Sequence, residues 1–263
     1  MEYPEYRNKV IELGEEAFNA ILNRKRKPCE IKDKTPLMIE YARHGENYFN
    51  LKNDDVKFMV VGRAPGLFHK GNGKERELVG KIDCSVIDYI TNAANSAKIE
   101  HCFDVHYNEE EHLSWIHMTK ENMDKGDRYI DSKRFFGFAK KVYLNLIKQE
   151  QDIEWYKNIC HSNVFKIVPI SGGNPRCALR NAQIKEMAEI FKAEIDFYKP
   201  THILIIDGRE NSPCWCFEIK EEIERYAKSH GAKIWFSNRP EYKSNEVYNE
   251  MFDQIDKDFW TIE

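Results

Sequence analysis

Apolar residues along this chain follow two spacings, one helical and one strand-like, and the two alternate from about residue 56 onward. Val10, Leu13, Ala17 and Ile21 predict a first helix from about Arg7 to Leu22. Residues 23–55 are polar and irregular, punctuated by Pro28 and Pro36, with a short helix expected near Met38; they look like a wrapped extension. Val56–Val61 is nearly continuous in apolar residues, as expected of a strand covered on both faces of a parallel sheet. Further strands are expected at His161–Val168, His202–Ile206 and Lys233–Phe236. Helices are expected at about Ser85–Ala97, Phe135–Ile147, Asn181–Tyr198, Pro213–Ser229 and Glu246–Ile255. Residues 98–132, rich in His, Asp, Glu and aromatics, read as an insertion.

Strands alternating with helices argue for a three-layer α/β/α sandwich with a four-stranded, mostly parallel central sheet, in a single domain over residues 1–263. Residues 1–55 would be an N-terminal helical extension. Right-handed crossovers bring the ends of parallel strands to one side. The loops after Val61, Val168, Ile206 and Phe236 would converge there, where open α/β sheets bind ligands.

Composition narrows the class. An apolar fraction of 41% and a charged fraction of 32% are ordinary for a soluble globular protein. The sequence contains no apolar run long enough to cross a bilayer. Met1–Glu5 lacks the basic and apolar parts of a secretory signal. Seven cysteines in so long a chain read as reduced thiols, so a cytoplasmic location is expected. The net charge of −4 does not announce a polyanion partner. Its distribution is more suggestive: four Lys or Arg and no acid fall between His161 and Lys185. Arg24–Lys27 is a second basic run, and His69, Lys70, Lys74 and Arg76 form a third. Each either steers a polyanion or is a solvated face.

Two loops carry the chemistry. Gly62-Arg63-Ala64-Pro65-Gly66 follows the first long strand and either approaches a ligand with its backbone or is a tight turn. It has neither the G-x-G-x-x-G spacing nor the Lys of a phosphate-binding loop. The second reads Asn163-Val164-Phe165-Lys166-Ile167-Val168-Pro169, then Gly172-Gly173-Asn174-Pro175-Arg176. Asn163 within an apolar strand either presents a donor and an acceptor to a ligand or satisfies neighbouring backbone.

Over about residues 56–245 this combination resembles the uracil-DNA glycosylase superfamily, especially its thermostable and archaeal branches. Gly62–Gly66 is similar to the first motif of that superfamily, and Asn163–Pro175 to its Asn-x-x-Lys-x-x-Pro stretch followed by Asn and Pro. Asn238-Arg239-Pro240 occupies the place of its second motif, where His-Pro-Ser is usual. The resemblance implies a DNA glycosylase that hydrolyses the N-glycosidic bond of a flipped uracil or modified pyrimidine. Asn163 would read the base, Phe68 would stack on it, and Gly62, Arg63, Ala64 and Pro65 would shape the pocket. Asp83, in a segment similar to one branch's Gly-Asp-x-Ser, would orient water; it also suits a helix N-cap. Arg239 and Asn238 would face the departing base or a phosphate. Lys166, Asn174, Arg176, Arg180 and Lys185 would contact DNA.

The cysteines do not reproduce the archaeal iron–sulfur pattern, and no metal or other cofactor is expected. His101, Cys102, Asp104, His106, His112 and His117 lack compact zinc spacing, and Cys214-Trp215-Cys216 lacks redox C-x-x-C spacing. Trp115, Tyr129, Phe135 and Phe136 frame a base or pack internally. The expected partner is DNA, with neither a membrane nor an obligate protein partner. The missing His leaves open a binding protein for DNA or a nucleotide, without catalysis. A small-molecule hydrolase using Asp83 or Asp207 is the third reading.

Overall fold

A computed structural model describes residues 1–26, 28–29, 37–39, 42–45, 47–52, 55–63, 69–70, 77–78, 135–150, 155–169, 175–206, 216–240 and 244–261. The chain divides into two compact units. One comprises Met1–Ala42, Arg63–Ser114 and Asn163–Phe197; the other comprises Arg43–Gly62, Trp115–Ser162 and Tyr198–Glu263.

The second unit is built on a sheet. β2 (Arg43–His44), β6 (Ile159–Asn163), β3 (Phe58–Gly62), β8 (His202–Ile206) and β9 (Lys233–Ser237) lie side by side in that order. β6, β3, β8 and β9 are parallel, and β2 adds an antiparallel edge, with Arg43 opposite His161. The chain is therefore an α/β protein with a four-stranded parallel sheet, as its alternating pattern predicts. β3 and β8 are central and apolar on both faces: Phe58–Val61 and Ile203–Ile206 are fully buried. At their amino ends Thr201 donates its N–H to the Lys57 carbonyl at 2.9 Å and accepts the Lys57 N–H on its hydroxyl at 3.0 Å. Lys233 N–H then donates to the Thr201 carbonyl at 2.8 Å, so one residue aligns β3, β8 and β9.

Helix α2 (Phe135–Leu146) packs on β3, with Phe138, Ala139, Val142 and Leu146 buried at helical spacing. Helix α4 (Cys216–Ser229) sets Ile219, Ile223 and Ala227 against β9. Helix α5 (Asn245–Asp253) is capped by Ser244, whose side chain accepts from the Val247 N–H.

The first unit holds α1 (Tyr3–Leu22) and α3 (Cys177–Tyr198, which ends at the unit boundary). Pro4 suits the first turn of α1, where its missing N–H has no helical partner to lose. Tyr6 stacks on Phe197 with ring centroids 4.3 Å apart, and Arg24 reaches the first turns of α3. Contacts at both ends set the two helices antiparallel. β1 (Leu37–Ile39) pairs antiparallel with β7 (Ile167–Pro169), and β4 (His69–Lys70) with β5 (Glu77–Leu78).

The sequence pattern misleads at two places here. The helix expected near Met38 is strand β1, fixed by pairing with β7, a nonlocal partner that periodicity does not reveal. The single strand expected over His161–Val168 is two strands in different sheets. The break falls at Val164–Lys166, all buried, which is why the apolar run reads as continuous. Phe165 N–H donates to the Arg63 carbonyl at 2.9 Å, while Ile167 N–H donates to the Gln183 side chain at 2.9 Å.

Candidate functional site

The parallel strands β6, β3, β8 and β9 end on one edge of the sheet, the edge at which α/β proteins bind ligands. β3 ends at Gly62, which is buried, and β9 ends at Ser237. Asn238 and Arg239 follow β9 and are half-buried; the Ser237 hydroxyl donates to the Asn238 carbonyl at 3.2 Å. Both residues therefore follow the carboxyl end of β9.

β6 ends at Asn163, which is 4% exposed. Gln183 is a second buried amide. Its amide is fully buried, donates to the Ile167 carbonyl at 2.8 Å and accepts the Ile167 N–H at 2.9 Å. Backbone satisfaction, the bland role open to Asn163, is thus what Gln183 performs.

His161 was not singled out by sequence reasoning. It lies two residues before Asn163 on β6, so strand alternation puts both on one face of that strand. Its ring sits 5.8 Å from Phe135 and 5.6 Å from Phe136, both half-buried at the start of α2. The signal was available: an imidazole in a buried strand, in phase with the conspicuous Asn.

The first unit corrects one residue. Lys166, expected on DNA, is fully buried, and its ammonium lies 2.6 and 2.8 Å from the two carboxylate oxygens of Glu194. Glu194 Oε1 also accepts the Ala42 N–H at 2.8 Å. Lys166 is thus a core ion pair, out of reach of a phosphate. Arg176 and Lys185 are exposed and Arg180 is half-buried. Arg63 is half-buried, with its carbonyl engaged by Phe165.

Ala64, Pro65, Phe68, Asp83, Asn174 and Asp207 lie outside the described residues, as do the helix expected at Ser85–Ala97, residues 98–132 and the Cys214-Trp215 pair. Among the described residues no group of three or more His, Cys, Asp or Glu side chains is placed to hold a metal ion. No described helix is long and apolar enough to cross a membrane.

The described residues define an α/β protein with a buried amide at the carboxyl end of a parallel strand. No protein-family model matches the chain, and no curated protein or solved structure matches it either.

Proposed function

We propose that this protein is a DNA glycosylase that reads an extruded pyrimidine with Asn163 and hydrolyses its N-glycosidic bond. The observation that carries the reading is the Asn163 amide, buried at the carboxyl end of a parallel strand. A pyrimidine edge offers a donor and acceptors in one plane, which an amide matches with two hydrogen bonds. The residue types at the strand ends and the resemblance of Asn163–Pro175 to the glycosylase motif support the same reading.

The chemistry is a displacement at C1′ of the sugar. The bond from C1′ to the base nitrogen breaks, and its electron pair leaves with the base. Water forms the new C1′–O bond, and its proton ends on the released base. Oriented donors stabilise the charge growing on the base. Asn238 and Arg239 are the nominated donors at the β9 end, and Asp83 is the carboxylate that would orient the water. Arg239 has too high a proton affinity to act as a general acid, so its contribution would be electrostatic. A protein that binds the base without cleavage is the second reading, favoured by Asn238-Arg239 standing where the resembled family has His.

Single-turnover excision from DNA duplexes carrying normal, deaminated or enlarged pyrimidines separates the two. Release of one base class is the expected result. Asn163→Asp exchanges the amide donor for an acceptor and should change the preferred base or abolish release, with less effect on nonspecific affinity. Asn163→Ala should lower rate and discrimination together. Base-dependent binding with no release from any duplex would support the binding protein. Unchanged activity per folded molecule in both variants would remove Asn163, and with it the pocket.

A further inference from the structure

Two basic segments far apart in sequence meet in the first unit. Arg24 follows α1, and its guanidinium donates to the α3 carbonyls of Ala178 at 3.2 Å and Asn181 at 3.1 Å. This tether holds the next residues, Lys25 and Arg26, beside the start of α3, and both are exposed. Cys177, Asn181 and Lys185 form the exposed stripe of α3 there, at the i, i+4, i+8 spacing of one helix face. Arg176 precedes the stripe and is exposed. Arg180 starts from a neighbouring face but turns its guanidinium to Cys177 Sγ, at 3.4 Å. From Arg176 to Lys185 no residue is acidic. Glu189, one turn beyond Lys185, is held by Lys192 at 2.7 Å.

We propose that Arg24–Arg26 and the Arg176–Lys185 turns of α3 form one surface that binds the phosphate backbone of DNA. The surface rests on the reading of this protein as DNA-binding and gives that reading an electrostatic footprint despite the acidic net charge. From Cys177 to Lys185 the stripe is about 12 Å long at 1.5 Å rise per residue. That matches roughly three to four base steps of 3.4 Å, so several phosphates of one strand can be met at once. Arg24 has a different role from its neighbours. Its donors are engaged with helix carbonyls, and it positions Lys25 and Arg26.

The test is fluorescence anisotropy of a labelled mixed-sequence DNA duplex titrated with the full chain over a salt series. Each phosphate contact contributes about 0.9 to the slope of log affinity against log salt. Lys25→Ala with Arg26→Ala, and separately Arg176→Ala with Arg180→Ala, should each lower the slope by about 1.8 and weaken binding about tenfold or more at 0.1 M salt. Arg225→Ala with Lys257→Ala, exposed cations of the second unit, should leave both unchanged. Arg24→Gln should shrink the effect of the Lys25 and Arg26 pair, because the tether and the cations act together. Thermal unfolding of the Lys25 and Arg26 variant should match the parent. DNA should also slow alkylation of the exposed Cys177 thiol, and salt should restore it. A steep parental slope that neither pair alters would overturn the surface and leave DNA binding intact. A parental protein with no salt-dependent DNA binding would overturn both.

Discussion

Replacing Lys166 with Met removes the ammonium and keeps a side chain of similar length. The Glu194 carboxylate then remains fully buried without its ammonium partner, still accepting the Ala42 N–H. Breaking a buried pair by removing one partner costs about 3–5 kcal/mol, because the other charge is left uncompensated. Against a total stability of about 5–15 kcal/mol, that is a large share. Glu194→Gln should cost a similar amount, since it strands the ammonium instead. The double variant is the discriminating one. Met opposite Gln carries no charge, and the Gln carbonyl can still accept from Ala42. It should recover at least about 2 kcal/mol relative to the sum of the single changes. Urea unfolding followed by tryptophan fluorescence reads each midpoint, with the slope checked for constancy. If the single changes cost under about 1 kcal/mol, or simply add, Lys166 is not in a buried pair. If Lys166→Met instead weakens DNA binding with no loss of stability, the sequence expectation was right and the core assignment wrong.

Two further outcomes follow from the second unit. Burial lowers the His202 imidazole to about 4, with Lys233 adding repulsion while carbonyls of Thr261 and Phe259 oppose the shift. The unfolded chain therefore binds the proton more readily than the native one. Stability contributed by neutral His202 is complete above about pH 6.5 and declines as pH falls toward about 4, by roughly 2–3 kcal/mol in all. Unfolding midpoints at neutral and mildly acid pH should show this loss; an equal pH slope in His202→Asn would refute the assignment. Gly45 donates its N–H to the Ile159 carbonyl at 2.9 Å, and a Cβ there would overlap the backbone oxygens of Tyr156 and Lys157. Gly45→Ala should cost about 2 kcal/mol or more, and a change within about 0.5 kcal/mol would contradict that packing.

Regular elements with strong local signals were legible. The apolar stripes of α2 and α3 and the continuous runs of β3 and β8 are what burial against one or two neighbours requires, and their positions agree with the sequence to within a few residues. Features set by a distant partner were not legible. Leu37–Ile39 is a strand because Ile167–Pro169 pairs with it, and nothing within its own three residues encodes that. The division of the chain into interleaved units likewise depends on contacts among distant segments.

The stretch from His161 to Val168 shows why the site was only partly readable. Hydrophobicity reports burial, and every residue in it is buried, so the pattern cannot distinguish one strand from two. It also cannot say what compensates a buried polar group. Lys166 and Gln183 look in sequence like a DNA contact and an ordinary helix residue. In the fold, the first is neutralised by Glu194 and the second by the backbone of Ile167. Those assignments sharpen the case of Asn163 by contrast. Lys166 and Gln183, polar side chains of the first unit's core, have found partners, through an ion pair and a bidentate backbone contact. Asn163 differs in its place: its amide is buried at the carboxyl end of a parallel strand, the edge at which α/β proteins bind ligands. Strand alternation makes His161 the next residue on the Asn163 face; it pairs with Arg43 of β2, and the rings of Phe135 and Phe136 stand near its imidazole. A polar pair in phase on one face of a buried strand is therefore a better guide to a site than either residue alone. It could have been extracted from the sequence by reading period two through the polar positions as well as the apolar ones.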